Sequence, residues 1–500
     1  MNNLFASEVL TPILFNIFNN PNLNAFCINE RFYSYRQLGE YISKVRSSLR
    51  ELDNHGHVIG LVANDDLETY ASVIALWLDG RCYVPLHPNQ PVDRCIDIVN
   101  QVGTSLILDS SDESRYSSGL ILRTKGLLRQ ADHLGFGENS SDDDLAYILF
   151  TSGSTGKPKG VMITRGNIGS FMDSFWKTGI RITEEDRCLQ CFDLTFDVSV
   201  QSFLVALVRG ACVFTVPNNL PKYLYVSRLI NDHRLTFGAM APSMLRYLQP
   251  YFDEIDAESI KVCILTAEAC PLSLAVAWST CAINATIYDF YGPTEVTVYC
   301  TYYELKRSGE NKSLNGIISI GKPLANLTAI IINEEDEIVP DGNKGELCIA
   351  GGQVSPGYWK DTLRNDKAFF DLVINNEKLR FYRTGDLCYR DSDGNIMYIG
   401  RLDLQVKIQG FRVELGEIEF HSRKYVNDRN AVAIAFDNEN LLTEIALFIE
   451  SEPFAQENLL TYLRTKLPVY MLPSRVFFLP EFPLNINHKV DRLRLKEMIK

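Results

Sequence analysis

Short apolar runs separated by helical patterns organise the first part of this chain. Val58–Val62, Tyr83–Pro85 and Ser105–Leu108 read as buried strands, with apolar residues at helical spacing between them. The style returns at Ala146–Phe150, Ala211–Val216 and Val262–Leu265, each followed by turn signals or a helical pattern. This alternation predicts α/β layering. Ser111–Ser118 is polar and reads as a loop. From Gly316 the texture changes. Leu327–Ile332, Gly345–Ala350 and Ile396–Ile399 are short β-rich runs, separated by turns such as Asp341-Gly342 and Asp393-Gly394. After Asp403 a mixed α/β pattern is long enough for a small separate domain. The expected fold is α/β. A large N-terminal body, residues 1–402, holds two α/β layered subdomains and a β-rich subdomain, and a small α+β domain fills 403–500. No internal repeat is visible.

Composition narrows the function classes. With 46% hydrophobic and 22% charged residues over 500 positions, the chain reads as an ordinary soluble globular protein. It has no apolar run of about 18 residues, so no membrane-spanning helix is expected. The start, MNNLFASEVL, lacks a basic region and places Glu8 where a signal peptide would be apolar, so a cytoplasmic protein is expected. There are 49 basic and 62 acidic residues, a formal charge of −13. No basic field stands out, and the run Asp142–Asp144 points the other way, so nucleic acid is not expected as a partner. A small anionic ligand held by local lysines stays open. Twelve cysteines show no framework spacing. Cys188 and Cys191 form a lone CxxC with no second motif to complete a metal site, and reduced thiols are expected.

The most informative stretch is YILFTSGSTGKPKGV, Tyr147–Val161. An apolar strand runs into Thr151, Ser152, Gly153, Ser154, Thr155, Gly156 and Lys157. Glycine lets backbone N–H groups approach an anion, hydroxyls add donors, and lysine adds charge. That is chemistry for a triphosphate or pyrophosphate. It is not a Walker A loop, because Thr151 and Pro158 stand where that motif needs glycine and a hydroxyl residue. A flexible surface linker would need neither the strand before it nor this ordered mixture.

TSGSTGKPKG resembles the phosphate-loop signature of the adenylate-forming enzymes: acyl-CoA ligases, luciferases and peptide-synthetase adenylation domains. The resemblance spans nearly the whole chain in the family's order. It includes Leu76–Arg94 (with His87 where aspartate is commoner), FDVS at Phe196–Ser199, YGPTE at Tyr291–Glu295 and IGKPLAN at Ile320–Asn326. It continues through GELCIAGG at Gly345–Gly352, YRTGDL at Tyr382–Leu387, Gly400–Glu419 and NHKVDR at Asn487–Arg492.

The resemblance implies ATP as substrate, with Mg²⁺ held by few carboxylates. Glu295 is then the metal ligand, Thr155 and Thr294 offer hydroxyls to the phosphates, and Tyr291 offers a ring face to adenine. TGD alone reads as a turn. In sequence with Gly400-Arg401, Asp386 reads as the acceptor for ribose hydroxyls, and Arg401 assists at ribose or phosphate. Lys489 matches the family's catalytic lysine, whose point charge offsets repulsion between carboxylate and α-phosphate. Histidine stands at position 488 where glycine is commoner. Asp403 matches the hinge on which the small domain turns, and Gly410 the point where a pantetheine arm passes.

Asp197 matches the aspartate that amino-acid-activating members use for the α-ammonium group, and a buried aspartate implies a cationic partner. By resemblance, the rest of the side-chain pocket is Val198, Gln201, Ala239, Leu265, Ala267, Phe290, Val298 and Tyr299, closed by Asp197 and Lys489. The lining is mostly apolar, and Phe290 and Tyr299 reduce its volume. The order Asp-Val-Gln resembles proline-activating adenylation domains, although Phe290 and Tyr299 depart from their usual pattern. L-proline is the expected substrate and D-alanine the runner-up, with an acyl-CoA ligase or a non-catalytic homologue as further alternatives. No carrier segment with an attachment serine and no HHxxxDG motif occurs in the chain, so the expected thiol partner is the phosphopantetheine of a discrete carrier protein.

Overall fold

The protein is described by a computed structural model covering residues 3–52, 56–117, 119–128, 134–135, 141–153, 157–217, 221–427, 429–484 and 490–499. It divides into two compact units. One comprises Met1–Pro88, Val102–Leu149 and Gly160–Leu402; the other comprises Asn89–Gln101, Phe150–Lys159 and Asp403–Lys500. The longest stretch of the second unit begins at Asp403. That unit also takes in two short stretches that no local pattern could assign to it.

Three main sheets build the first unit. A nine-stranded sheet has the order Lys322–Pro323, Thr301–Glu304, Thr286–Tyr291, Val262–Thr266, Phe237–Met240, Arg187–Gln190, Cys212–Thr215, Asn24–Ile28 and Arg31–Ser34. Its central pairings, from Thr286–Tyr291 through to Asn24–Ile28, are parallel. A seven-stranded sheet includes Leu145–Thr151, Cys82–Leu86, Val58–Val62 and Leu106–Asp109 as neighbours in that order. Cys82–Leu86 is buried at every position, as a strand covered on both faces must be. The third sheet is antiparallel and joins Leu327–Ile332, Gly345–Gly351, Glu377–Arg390, Phe369–Ile374 and Ile396–Arg401.

Two helices show how the sequence positions the site. Leu67–Leu78 starts where Asp66 accepts from the Thr69 amide at 2.9 Å. It is buried almost throughout, and the Trp77 indole donates to the Ala146 carbonyl at 3.0 Å. Asp197–Leu207 is buried along its whole length, the pattern of a helix inside a core rather than on one. The acidic run has a structural use: the Asp142 carboxylate accepts the amides of Leu4 and Phe5 at 2.8 and 3.1 Å.

In the second unit, Ala431–Asp437 pairs antiparallel with Thr443–Glu450, which pairs parallel with Arg475–Leu479. Ile418, Leu447, Leu459 and Leu463 are among its core residues. Gln405–Ile408 and Phe411–Glu414 form a hairpin whose two turn residues, Gln409 (φ 49°) and Gly410 (φ 82°), have the φ signs of a type I′ turn. Arg94 pairs with Glu417, which also accepts from the Gly153 amide at 3.2 Å.

None of the twelve cysteines is in a disulfide, and only Cys281 is partly exposed. Burial pushes Cys191 up to about 12 and Cys27 up to about 11. Among the described residues no helix is long and apolar enough to cross a membrane.

Candidate functional site

Asp197 occupies the first turn of its helix, where the N-terminal end of the helix favours a carboxylate. One turn later, the Gln201 amide oxygen accepts from the Tyr299 hydroxyl at 3.3 Å. The Tyr299 ring lies 4.9 Å from Phe290, with Phe171 and Phe175 behind the pair. Burial holds the Tyr299 hydroxyl well above its ordinary range, and the nearby Asp197 carboxylate pushes the same way. Ala239 and Phe290 lie on strands of one parallel sheet, the strand Val262–Thr266 running between them. Ligands of open α/β sheets bind outside the carboxyl ends of such strands. Val198, Ala239, Phe290, Val298 and Tyr299 share one hydrophobic cluster. Leu265 does not join them. Alternation along its strand turns it to the other face, with Met240 and Cys263. Ala267 follows the strand end with a left-handed φ of 71°.

Two further buried polar residues, Tyr147 and Asp289, were not singled out by the motifs. Tyr147 is fully buried in the strand leading to the glycine loop, and its hydroxyl has no hydrogen-bond partner among the described residues. Burial and then the Asp197 carboxylate raise it well above its usual range. Asp289, beside Phe290, has a buried Oδ1 in the same position, and burial alone raises that carboxyl well above the carboxylate range. Gln201 Nε2 is likewise buried without a partner. A polar side chain inside an apolar strand was the available signal for the first two.

Tyr291 donates its hydroxyl to Asp386 Oδ2, and Arg401 donates to Asp386 Oδ1 at 3.0 Å and to the Thr384 carbonyl at 2.7 Å. Asp386 and Arg401 are cross-strand partners. The TGD segment is therefore part of the strand Glu377–Arg390 rather than a turn. Gly385, at φ 71°, makes the close passage possible: a Cβ there would lie 2.6 Å from Arg401 Nη2. Gly385→Ala should cost about 1–2 kcal/mol from the left-handed backbone alone, read as a lower urea midpoint at unchanged slope.

Thr294 opens the short turn Thr294–Val296, and Glu295 within it is fully buried. Its Oε1 accepts from the Tyr358 hydroxyl at 2.6 Å, and its carbonyl from the Ser355 amide at 2.9 Å. No group of three or more His, Cys, Asp or Glu among the described residues could hold a metal. One carboxylate of this kind suits a cation that keeps water and phosphate oxygens as its other ligands.

In the second unit, Thr151 ends its strand with a buried hydroxyl that has no partner among the described residues. Ser152 donates to the Arg412 carbonyl at 2.8 Å and accepts from the Glu414 amide at 3.0 Å. Lys157 is exposed. Asp403 accepts from the Gln405 amide at 3.0 Å. Ser154, Thr155, Gly156 and Lys489 lie outside the described residues.

The signature of the AMP-binding enzymes matches residues 16–359. Tyrocidine synthase 1 of Brevibacillus parabrevis is 31% identical over 487 residues, 95% of this chain and 44% of that protein. D-alanine–D-alanyl carrier protein ligase of Bacillus licheniformis is 32% identical over 448 residues, 86% of each chain. The crystal structure of the Vibrio cholerae adenylation domain AlmE, in complex with glycyl-adenosine-5'-phosphate, has a TM-score of 0.86 at 23% identity, covering 100% of this chain and 98% of that one. This last likeness is one of fold. The chain spans less than half the length of the first curated relatives it matches, 44% of tyrocidine synthase 1 and 7% of tyrocidine synthase 3.

Proposed function

The chain belongs to the AMP-binding enzyme family, and we propose that it activates an amino acid with ATP and passes it to a carrier thiol. The substrate carboxylate attacks the α-phosphorus, an acyl–O–P bond forms, and pyrophosphate leaves with the broken Pα–O bond. A pantetheine thiol then attacks the acyl carbon and expels AMP. The observation that carries the amino-acid reading is Asp197. It is a buried carboxylate at the start of a buried helix, beside Gln201, Tyr299 and the ends of parallel strands. An acyl-CoA ligase for fatty or aryl acids has no use for that charge.

Each residue then has a task. Asp197 holds the α-ammonium group. Val198, Ala239, Ala267, Phe290, Val298 and Tyr299 bound the side chain. Tyr291, Asp386 and Arg401 hold the adenosine end, their mutual bonds fixing the carboxylate before ligand arrives. Thr151, Thr294 and Lys157, with Thr155 and the glycine loop, meet the phosphates. Glu295 would hold Mg²⁺, which neutralises charge on the phosphate oxygens when bound. Lys489 bridges carboxylate and α-phosphate, the segment at Asp403 serves as hinge, and the turn at Gly410 gives the pantetheine arm passage.

L-proline is the favoured substrate, because the lining is mostly apolar, offers no charge to pair with an acidic or basic side chain, and is narrowed by Phe290 and Tyr299. A D-alanine-type substrate is the second reading, favoured by the carrier-protein ligase matched over most of both chains. Pyrophosphate exchange across all amino acids, with fatty and aryl acids as controls, tests both. L-proline should give the highest rate. No more exchange with proline than with glycine or D-alanine would refute the proline reading. Exchange confined to non-amino acids would refute the amino-acid reading.

A further inference from the structure

We propose that Gln353 is a positioning residue that holds the Thr297–Tyr299 wall in its strained shape and thereby sets which side chains the enzyme accepts. The inference rests on the amino-acid reading above. Thr297 and Val298 have φ of 52° and 69°. One residue in the left-handed region is uncommon. For β-branched valine it is an outlier, and such conformations persist only where the surroundings enforce them. Both residues are buried, so water does not supply the enforcing bonds.

Gln353 supplies them. Its side chain is fully buried, and its amide nitrogen faces three carbonyls: Tyr299 at 2.7 Å, Val296 at 3.3 Å and Thr297 at 3.3 Å. Three acceptors fix which end of the amide is nitrogen. In return, the Thr297 hydroxyl donates to the Gln353 carbonyl at 2.7 Å. The base is itself anchored. Asn167 donates to the carbonyls of Gly352 and Val354 at 2.8 and 3.1 Å, and the Ser355 hydroxyl donates to Met162 at 2.7 Å. Gly292 packs directly against the same segment: a Cβ there would meet the Val298 carbonyl at 2.4 Å. The wall that carries Val298 and Tyr299 is thus packed against a glycine and tied by one glutamine. Gln353 reaches substrate only through that wall.

The test is Gln353→Met, which keeps the volume and removes the donors. In pyrophosphate exchange, KM for the preferred amino acid should rise about tenfold while KM for ATP stays within about twofold. Discrimination against the next larger aliphatic amino acid should fall about fivefold. Equal changes in both KM values, or unchanged discrimination, would overturn the proposal. Val298→Gly supplies the second arm, because glycine adopts this φ without strain. If the clamp exists, Gln353→Met should lower the unfolding midpoint less in the Val298→Gly background than alone. Additivity would overturn it. Exchange with no acid at all would refute the adenylation reading, and this unfolding cycle would then decide the clamp by the same criterion.

Discussion

Lys489→Ala should slow aminoacyl-adenylate formation by about 10²–10³-fold and leave thioester formation from supplied aminoacyl-AMP within about threefold. The argument is electrostatic. Adenylation brings a carboxylate against an α-phosphate, and two unit charges 4 Å apart near a protein surface repel by about 4 kcal/mol. Each 1.4 kcal/mol is about a factor of ten, so losing the bridging charge costs about three powers of ten at most. In the second half-reaction the carboxylate is already joined to phosphorus in the acyl-phosphate anhydride and that repulsion is gone. Pyrophosphate exchange measures the first step, and transfer to a carrier thiol from synthetic aminoacyl-AMP measures the second. Equal loss in both would contradict a scheme in which the lysine serves only one conformation.

Asp197→Asn should raise KM for the amino acid about 10²-fold with KM for ATP nearly unchanged. The amide keeps the shape and removes the charge that meets the ammonium group. Truncating one partner of a buried charged pair costs about 2–5 kcal/mol. An unchanged amino-acid KM would identify Asp197 as a structural residue instead.

Much of the fold was legible because buried strands are written as unbroken apolar runs, in the parallel strand Val58–Val62 and the antiparallel strand Leu327–Ile332 alike. Val58–Val62 and Leu327–Ile332 appear with the expected bounds, and Tyr83–Pro85 gained one residue at each end. Glu377–Arg390 was not legible as one strand. Its polar and apolar residues are mixed, and Gly385 imitates a turn while its backbone passes Arg401. Contiguous motifs pointed to Asp197, Glu295 and Asp386 as candidates. Gln353 and Tyr358 carried no such signal, because their contacts are distant in sequence, such as the 57 positions between Gln353 and Val296 and the 63 between Tyr358 and Glu295. The composition of the second unit is hidden for the same reason: Arg94 and Glu417 are 323 positions apart.

The buried thiols carry a consequence for handling this protein. The thiolate is the form that reacts, and ordinary cysteines titrate near about 8.5. Burial keeps eleven of the twelve out of reach, leaving Cys281 partly accessible. The fold is therefore the protein's own antioxidant. A fully unfolded chain exposes a dozen ordinary thiols, which an oxidising buffer cross-links in competition with refolding. Reversibility of unfolding is then set by the redox poise of the solution as much as by the free energy of the fold.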